Sequence, residues 1–472
     1  MAKRKAPHGE QTFAILEDAC EQLKGRYTHQ TSLEPIGRRV NGQDDGYSSD
    51  GSEDSIDDPN CVEQSVLEDM TKFEDSFKGI TKRFRLIDRI GEGTFSTVYK
   101  AEDLLYEKYS NSWDIDAQDA AIWLSPPVKK TKTTGGSAHQ KRPRYVAIKK
   151  IYVTSSPIRI QNELELLHDL RSCKYICPLI TAFRHQDQVV AVLPYYRHQD
   201  FREFFREMNT AEMQIYFRSL FRALGAVHKQ GIIHRDIKPT NFLYDIHRQR
   251  GVLVDFGLAE REGNESTYCV CSESPAKRKQ KIERSYVARN PHQVTGYPKQ
   301  DARPSRRANR AGTRGFRAPE VLFKCQDQTT KIDIWSAGVV LLTILSQRFP
   351  FFNSADDVDA MVEITSLFGK KKMRACGLLH GTVFETNVPT IGDRGFSLEK
   401  IILWSTCRTK EQRESGEALT AGEKEAIKFL ERCLELDPKK RISAKEALDH
   451  PFLAEGTDLE TTTPEEDEIE VL

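Results

Sequence analysis

Between Gly231 and Gly257 the chain reads G-I-I-H-R-D-I-K-P-T-N-F-L-Y-D-I-H-R-Q-R-G-V-L-V-D-F-G, and three of its side chains suit one piece of chemistry. Asp236 follows His234 and Arg235, Asn241 stands five residues further on, and Asp255 precedes Phe256 and Gly257 at the end of an apolar run. A carboxylate that can take a hydroxyl proton, followed by an amide oxygen and a second carboxylate that can ligate a hard cation, is the set that phosphoryl transfer needs. Asp236 supplies the first function, and Asn241 and Asp255 supply oxygens for magnesium. Past the turn residue Gly251, Val252-Leu253-Val254 predicts a short buried strand that presents Asp255 at its carboxyl end.

Other stretches must hold the nucleotide against this loop. Phe84 to Ile90 predicts a strand running into Gly91-Glu92-Gly93-Thr94-Phe95-Ser96-Thr97-Val98-Tyr99, so that a glycine turn joins two strands. Two glycines let the backbone approach an anion, and the amides of the turn can then face phosphate oxygens. Val146-Ala147-Ile148-Lys149 predicts the next strand, with Lys149 as a point charge for the phosphates. Its long stem needs a carboxylate to fix it. The helix expected over 157–170 offers two. Ile160, Leu164 and Leu167 mark its buried stripe; Glu163 borders the stripe and Glu165 points away, so Glu163 is the partner of choice. Asp187 to Leu193 predicts a buried strand that ends in Pro194-Tyr195-Tyr196, and Thr210 to Lys229 a core helix.

The length of 472 residues allows one large domain or two ordinary ones, with tails. Lys+Arg and Asp+Glu balance at 70 each, which argues against bulk affinity for nucleic acid or membrane. No apolar run reaches the roughly 18 residues of a membrane helix. Ten cysteines without regular spacing point to a reducing compartment. Residues 1–76 read as a low-complexity tail, acidic and serine-rich from Gln43 to Asp58, with one amphipathic stretch over 13–23. Residues 455–472 read as an acidic tail. Stretches 101–144, 261–311 and 370–422 read as polar inserts in a folded domain over 84–454. Loop closure costs only about 0.6 kcal/mol per doubling of length, so such inserts are tolerable. Cys269 and Cys271 resemble half of a zinc site, but no second pair follows nearby and free thiols are expected. The basic clusters Lys3-Arg4-Lys5 and Lys277-Arg278-Lys279-Gln280-Lys281 favour a nuclear location.

Together these motifs resemble the eukaryotic protein kinases over about residues 84–454. The resemblance implies an α+β, bilobal fold, with a small β-rich lobe and a large helical one. It implies ATP and Mg2+ as cofactors. Gly91, Glu92, Gly93, Thr94, Phe95, Ser96 and Val98 would cover the phosphates, with Ser96 where a third glycine is usual. Ala147, Leu193, Pro194, Tyr195 and Tyr196 would line the adenine pocket and its hinge. Lys238 marks the serine/threonine branch and would steady the transferring group. Asp333 would accept bonds from the catalytic-loop backbone, and Glu320 would pair with Arg441. More narrowly, Gly312-Thr313-Arg314-Gly315-Phe316-Arg317-Ala318-Pro319-Glu320, together with the long activation segment from Asp255 to Glu320, resembles the catalytic subunits of the DDK replication-initiation kinases. That implies an activating regulatory subunit and substrates with acidic serine or threonine sites, the MCM helicase among them. Arg314 and Arg317 stand where the residue after the phosphorylated one would pass, which favours an acidic or phosphorylated neighbour. From Lys149 to Glu163 is 163 − 149 = 14 positions, shorter than is usual in kinases, so the helix is expected to need a protein partner. The rival readings are an acid-directed kinase that needs no partner and an inactive scaffold on the same fold; Lys149, Asp236, Asn241 and Asp255 are all present, which disfavours the scaffold.

Overall fold

A computed structural model of the chain describes residues 62–93, 95–114, 144–263, 268–284, 308–408 and 418–454. The amphipathic stretch over 13–23, the tail from 455 and Thr94 lie outside the described residues. The chain divides into two compact units, one reaching to His168 and including Pro178–Tyr195, the other holding Asp169–Cys177 and everything from Tyr196 on.

The first unit is built on an antiparallel sheet of five strands: β1 (Phe84–Glu92), β2 (Ser96–Asp103), β3 (Tyr145–Ile151), β4 (Thr181–His185) and β5 (Gln188–Pro194), in the order β1-β2-β3-β5-β4. β2 alternates buried and half-buried residues along its length, as a strand with one covered face must. Helix α1 (Gln64–Ser76) provides the cover, and here the structure departs from the expectation of a tail to residue 76. Val66, Met70, Phe73 and Phe77 recur at helical spacing and join Tyr99, Ala101, Val146, Ile148, Val190 and Val192 in one buried cluster. Phe73 stacks on Tyr99 with ring centroids 5.3 Å apart. Among the described residues, folded structure is therefore already present about twenty residues ahead of Phe84. Helix α2 (Pro157–Asp169) seats Ile160 and Leu164 against Ile151, Ala182, Val189 and Ala191.

The second unit is mostly helical. Helix α3 (Thr210–Lys229) starts with a reciprocal cap between Asn209 and Glu212. Its inward face carries Tyr216, Phe217, Leu220, Phe221 and Leu224, all buried. Beyond it come strands β6 (Ile232–Ile233), β7 (Phe242–Asp245), β8 (Arg250–Leu253) and β9 (Glu260–Arg261); β7 pairs with β8 and β6 with β9. The insert expected over 261–311 contains α4 (Pro275–Glu283), and after it come α5 (Pro319–Leu322) and α6 (Lys331–Ser346). Every residue of α6 from Ile332 to Ser346 is buried, which makes it the central post of this unit. Gly338 lets α10 (Ala421–Cys433) pack close, since a methyl there would press on Cys433 and Leu434. The stretch 370–422, read from the sequence as a polar insert, contains α8 (Lys370–Leu379) and α9 (Leu398–Ser405), which follow α7 (Asp357–Phe368). Met373, Cys376, Leu398 and Ile402 anchor them in the core. Helix α11 (Ala444–Leu448) closes the unit against α3.

Candidate active site

The loop between β6 and β7 is held by one buried carboxylate. Asp333, at the start of α6 and fully buried, accepts the backbone N–H groups of His234 and Arg235 at 2.8 Å each and lies 2.9 Å from His228 Nε2. Burial pushes its carboxyl up, but the bond and charge of His228 and the proximity of His234 outweigh that and hold it below the usual range. The role expected for Asp333 is thus seen directly; the His228 bond was not foreseen. His234 in turn accepts from the N–H of Asp236 on Nδ1 and reaches the Val254 carbonyl at 3.0 Å through Nε2. Phe256 is buried edge-on against the His234 ring, 4.8 Å between centroids.

These contacts set three functional side chains. Asp236, 6% exposed, accepts the Thr313 N–H at 2.9 Å and the Thr313 hydroxyl at 2.7 Å on one oxygen, while Lys238 Nζ lies 2.9 Å from the other. Burial raises its pKa, yet the charge and hydrogen bond of Lys238, with the Thr313 bond, bring it below the ordinary carboxylate value. Asn241 gives its amide nitrogen to the Asp236 carbonyl at 2.8 Å and to its carboxylate at 3.0 Å. What is left to face a cation is its amide oxygen, as a hard metal requires. Asp255 follows β8 as expected and has φ +64°, an uncommon conformation for a residue other than glycine. Lys238 also donates to the Thr313 hydroxyl at 3.0 Å. Thr313 is the member of this group that sequence reasoning quoted but gave no role; nothing in its local pattern signals a bond across 77 positions. The approach of its segment needs Gly312, which has φ +108° and where any Cβ would collide with the Arg235 carbonyl.

The first unit supplies a second constellation. Lys149 Nζ on β3 and Glu163 Oε1 on α2 are 2.6 Å apart, both nearly buried, so the chosen glutamate is the one that meets the lysine. The outward Glu165 instead bonds Gln161. The turn from Gly91 to Ser96 is a tight one, closed by a bond from the Gly93 N–H to the Ser96 carbonyl at 2.9 Å, and Gly91 pairs with Val98 across the strands. Glu92 is tied to Arg89 at 2.9 Å, and Phe95 is exposed. Ala147 and Leu193 are paired across β3 and β5, Pro194 is buried opposite Val146, and Tyr195 packs edge-on to Tyr145 under the Lys100 ammonium. Tyr196 begins the second unit.

Described residues at both ends of the activation segment are pinned by ion pairs and hydrogen bonds. Arg441 grips Glu320 with both guanidinium nitrogens, at 2.6 and 2.9 Å, and both residues are 1% exposed, which is the pair expected from sequence. Arg235 pairs with Glu260 on β9 and with Gln328 at 2.7 Å, and Asn309 holds the other Glu260 oxygen at 2.8 Å. Arg317 and Arg310 both reach Asp357 at 2.5 Å, and Arg314 donates to the Ala355 carbonyl.

The chain matches the family model described as protein kinase domain over residues 134–290 and 295–453. That match starts downstream of β1 and β2, so the glycine turn stands outside it. A protein kinase domain uses ATP with a divalent metal, and Asn241 and Asp255 offer such a metal oxygen donors. Among curated proteins, the cell cycle serine/threonine-protein kinase hsk1 of Schizosaccharomyces pombe is 48% identical over 91% of this chain and 84% of its own length. The cell cycle protein kinase spo4 of the same organism is 41% identical over 83% and 90%. The cell division cycle 7-related protein kinase of Homo sapiens is 26% identical over 82% and 92%. The chain is therefore a protein kinase, and its relatives set it among the serine/threonine kinases of the Cdc7, or DDK, type.

Proposed function

We propose that the chain is the catalytic subunit of a nuclear, partner-activated kinase that transfers the γ-phosphoryl of ATP to serine or threonine followed by an acidic or phosphorylated residue, with MCM helicase subunits among its substrates. The observation that carries the reading is the Asp236 carboxylate, kept ionised and aimed by Lys238, Thr313 and Asn241. In this reading Asp236 orients the substrate hydroxyl and takes its proton, and Lys238 steadies the transferring group. Mg2+ supplies charge neutralisation at the β and γ phosphates when bound, and Asn241 and Asp255 are the residues that would hold it. Lys149, fixed by Glu163, binds the α and β phosphates.

Glu163→Gln should therefore lower kcat/KM for ATP by about tenfold or more, equivalent to ~1.4 kcal/mol, by freeing the lysine. Steady-state kinetics check this; an unchanged kcat/KM would remove the role.

The substrate preference follows from neighbours of Thr313. Because Thr313 sits on Asp236, the residues just past it pass close to a bound substrate's hydroxyl, and they carry guanidinium groups. Arg310 and Arg317 already hold a carboxylate, that of Asp357, which is the type of group an acidic neighbour would present. A charge-assisted hydrogen bond contributes about 1.5–3 kcal/mol. Peptides with Asp, Glu or phosphoserine after the acceptor should thus be preferred over Pro or Lys by roughly tenfold or more, and Arg314→Ala should flatten the preference. Radiolabel transfer to a peptide array reads this directly, and a preference for Pro or Lys would overturn it.

Partner dependence is supported by the short span between Lys149 and Glu163 and by apolar side chains left in solvent beside it. Ile158 at the start of α2 is 79% exposed and Val153 54%. The rival, an acid-directed kinase acting alone, predicts full turnover by the isolated chain; running the same array with and without co-expressed binding partners separates the two.

A further inference from the structure

A tyrosine outside the β1–β2 hairpin reaches the glycine turn from Gly91 to Ser96. Tyr152 is the first residue after β3 and opens the short link, residues 152–156, that leads to α2. Its N–H donates to the Phe95 carbonyl at 2.9 Å, and its hydroxyl lies 2.8 Å from Thr97 Oγ1. Ser155, on the same link, gives its hydroxyl to the Phe95 carbonyl at 3.4 Å. The bond from the Tyr152 N–H continues the β2–β3 ladder one step past the pair of Ser96 and Ile151, and any residue but proline would make it. The bond to Thr97 is another matter. Thr97 is 6% exposed, so its hydroxyl is largely cut off from water, and Tyr152 supplies it with a partner that phenylalanine could not.

The turn has need of such a hold. A Cβ at Gly91 or Gly93 would meet nothing nearer than 3.8 Å, so packing does not confine it, and its glycines make ordering costly. On the β1 side Arg89 reaches Glu92 at 2.9 Å and Asp69 of α1 at 3.3 Å, but both carboxylates are well exposed, and surface ion pairs contribute little. The other end of the link belongs to α2. The Ser155 N–H returns to the Tyr152 carbonyl at 2.9 Å, and the Ser156 carbonyl takes the N–H groups of Arg159 and Ile160 at 3.0 and 3.1 Å, which begins the helix. Further along that helix Glu163 meets Lys149 at 2.6 Å. So short a link has little slack, and a shift of α2 is passed on to Tyr152.

We propose that Tyr152 is a positioning residue for the phosphates of ATP: through Thr97 its hydroxyl holds the glycine turn in order, and its place on the link ties that order to the seating of α2 on Lys149. The inference rests on the reading of Gly91 to Ser96 as the turn that covers those phosphates. By linkage, whatever seats α2 tightens the binding of ATP, and ATP under the turn favours the seated helix by the same factor.

The test is the affinity of the full chain for a non-hydrolysable ATP analogue with Mg2+, and for adenosine, by titration calorimetry. Tyr152→Phe and Thr97→Val should each weaken the analogue by about three- to tenfold, the worth of one such bond, and together by no more than either alone. Thr97→Ser, which keeps the hydroxyl, should bind as the wild type does. Adenosine has no phosphates, so its affinity should not change in any of these variants, which also reports that each is folded. Combined with Glu163→Gln, Tyr152→Phe should cost less than it does alone; fully additive losses would sever the tie to α2 and overturn the proposal. Gly93→Asp, which sets a carboxylate against the phosphates, tests the turn itself. Unchanged affinity for the analogue in Gly93→Asp removes the reading of the turn, and the proposal with it. A weakened Gly93→Asp beside unchanged Tyr152→Phe and Thr97→Val overturns the proposal alone, as does an equal loss of adenosine and analogue in Tyr152→Phe.

Discussion

Asp236→Asn should lower kcat by about 10²- to 10⁴-fold, the usual range for removal of a general base. The asparagine keeps an oxygen for the Thr313 N–H and hydroxyl, so the cradle persists while the proton acceptor is lost. Phosphate transfer to an acidic serine peptide measures it, and activity within a few-fold of wild type would exclude Asp236 as the base. The pH dependence has a definite sign. The folded Asp236 titrates below its ordinary value of 3.8, so it is already ionised through the neutral range and should give no acid limb there. Its contribution to stability is present above that value and lost as pH falls through the lower, folded pKa.

The second large effect is on stability. Arg441→Ala should destabilise the helical unit by about 3–5 kcal/mol, because it strands the Glu320 carboxylate in a site with 1% exposure. It also removes donors from the Glu435 and Lys331 carbonyls, at 2.9 and 2.8 Å. Arg441→Lys should recover only part, since an ammonium cannot reproduce the two parallel bonds. Denaturant unfolding gives the numbers, and a loss under about 1 kcal/mol would mean that water or another cation reaches Glu320.

The catalytic half of the fold was legible because its chemistry demands a near-contiguous run. Asp236, Asn241 and Asp255 fall within twenty residues, and the strand that delivers Asp255 carries its own turn and apolar signal. Glu163 could be told from Glu165 by helix geometry alone, since only one of them borders the buried stripe. Helix α1 escaped notice because its surface is acidic and its four anchors are spread over twelve positions beside a stretch with none; only the sheet it covers makes them a core. The helices α8 and α9 were hidden in the same way, by charge at their outer faces. Thr313 and Asn309 could not be found by local pattern, because what defines each is a neighbour far along the chain.

The bond between Arg235 and Glu260 has one more consequence. The guanidinium of Arg235, next to Asp236, is satisfied by a carboxylate written into the gene, a charge that no phosphatase can strip away and no upstream enzyme has to install. A signal that works by bringing a charged partner to this arginine has nothing left to supply, because that partner is already in place.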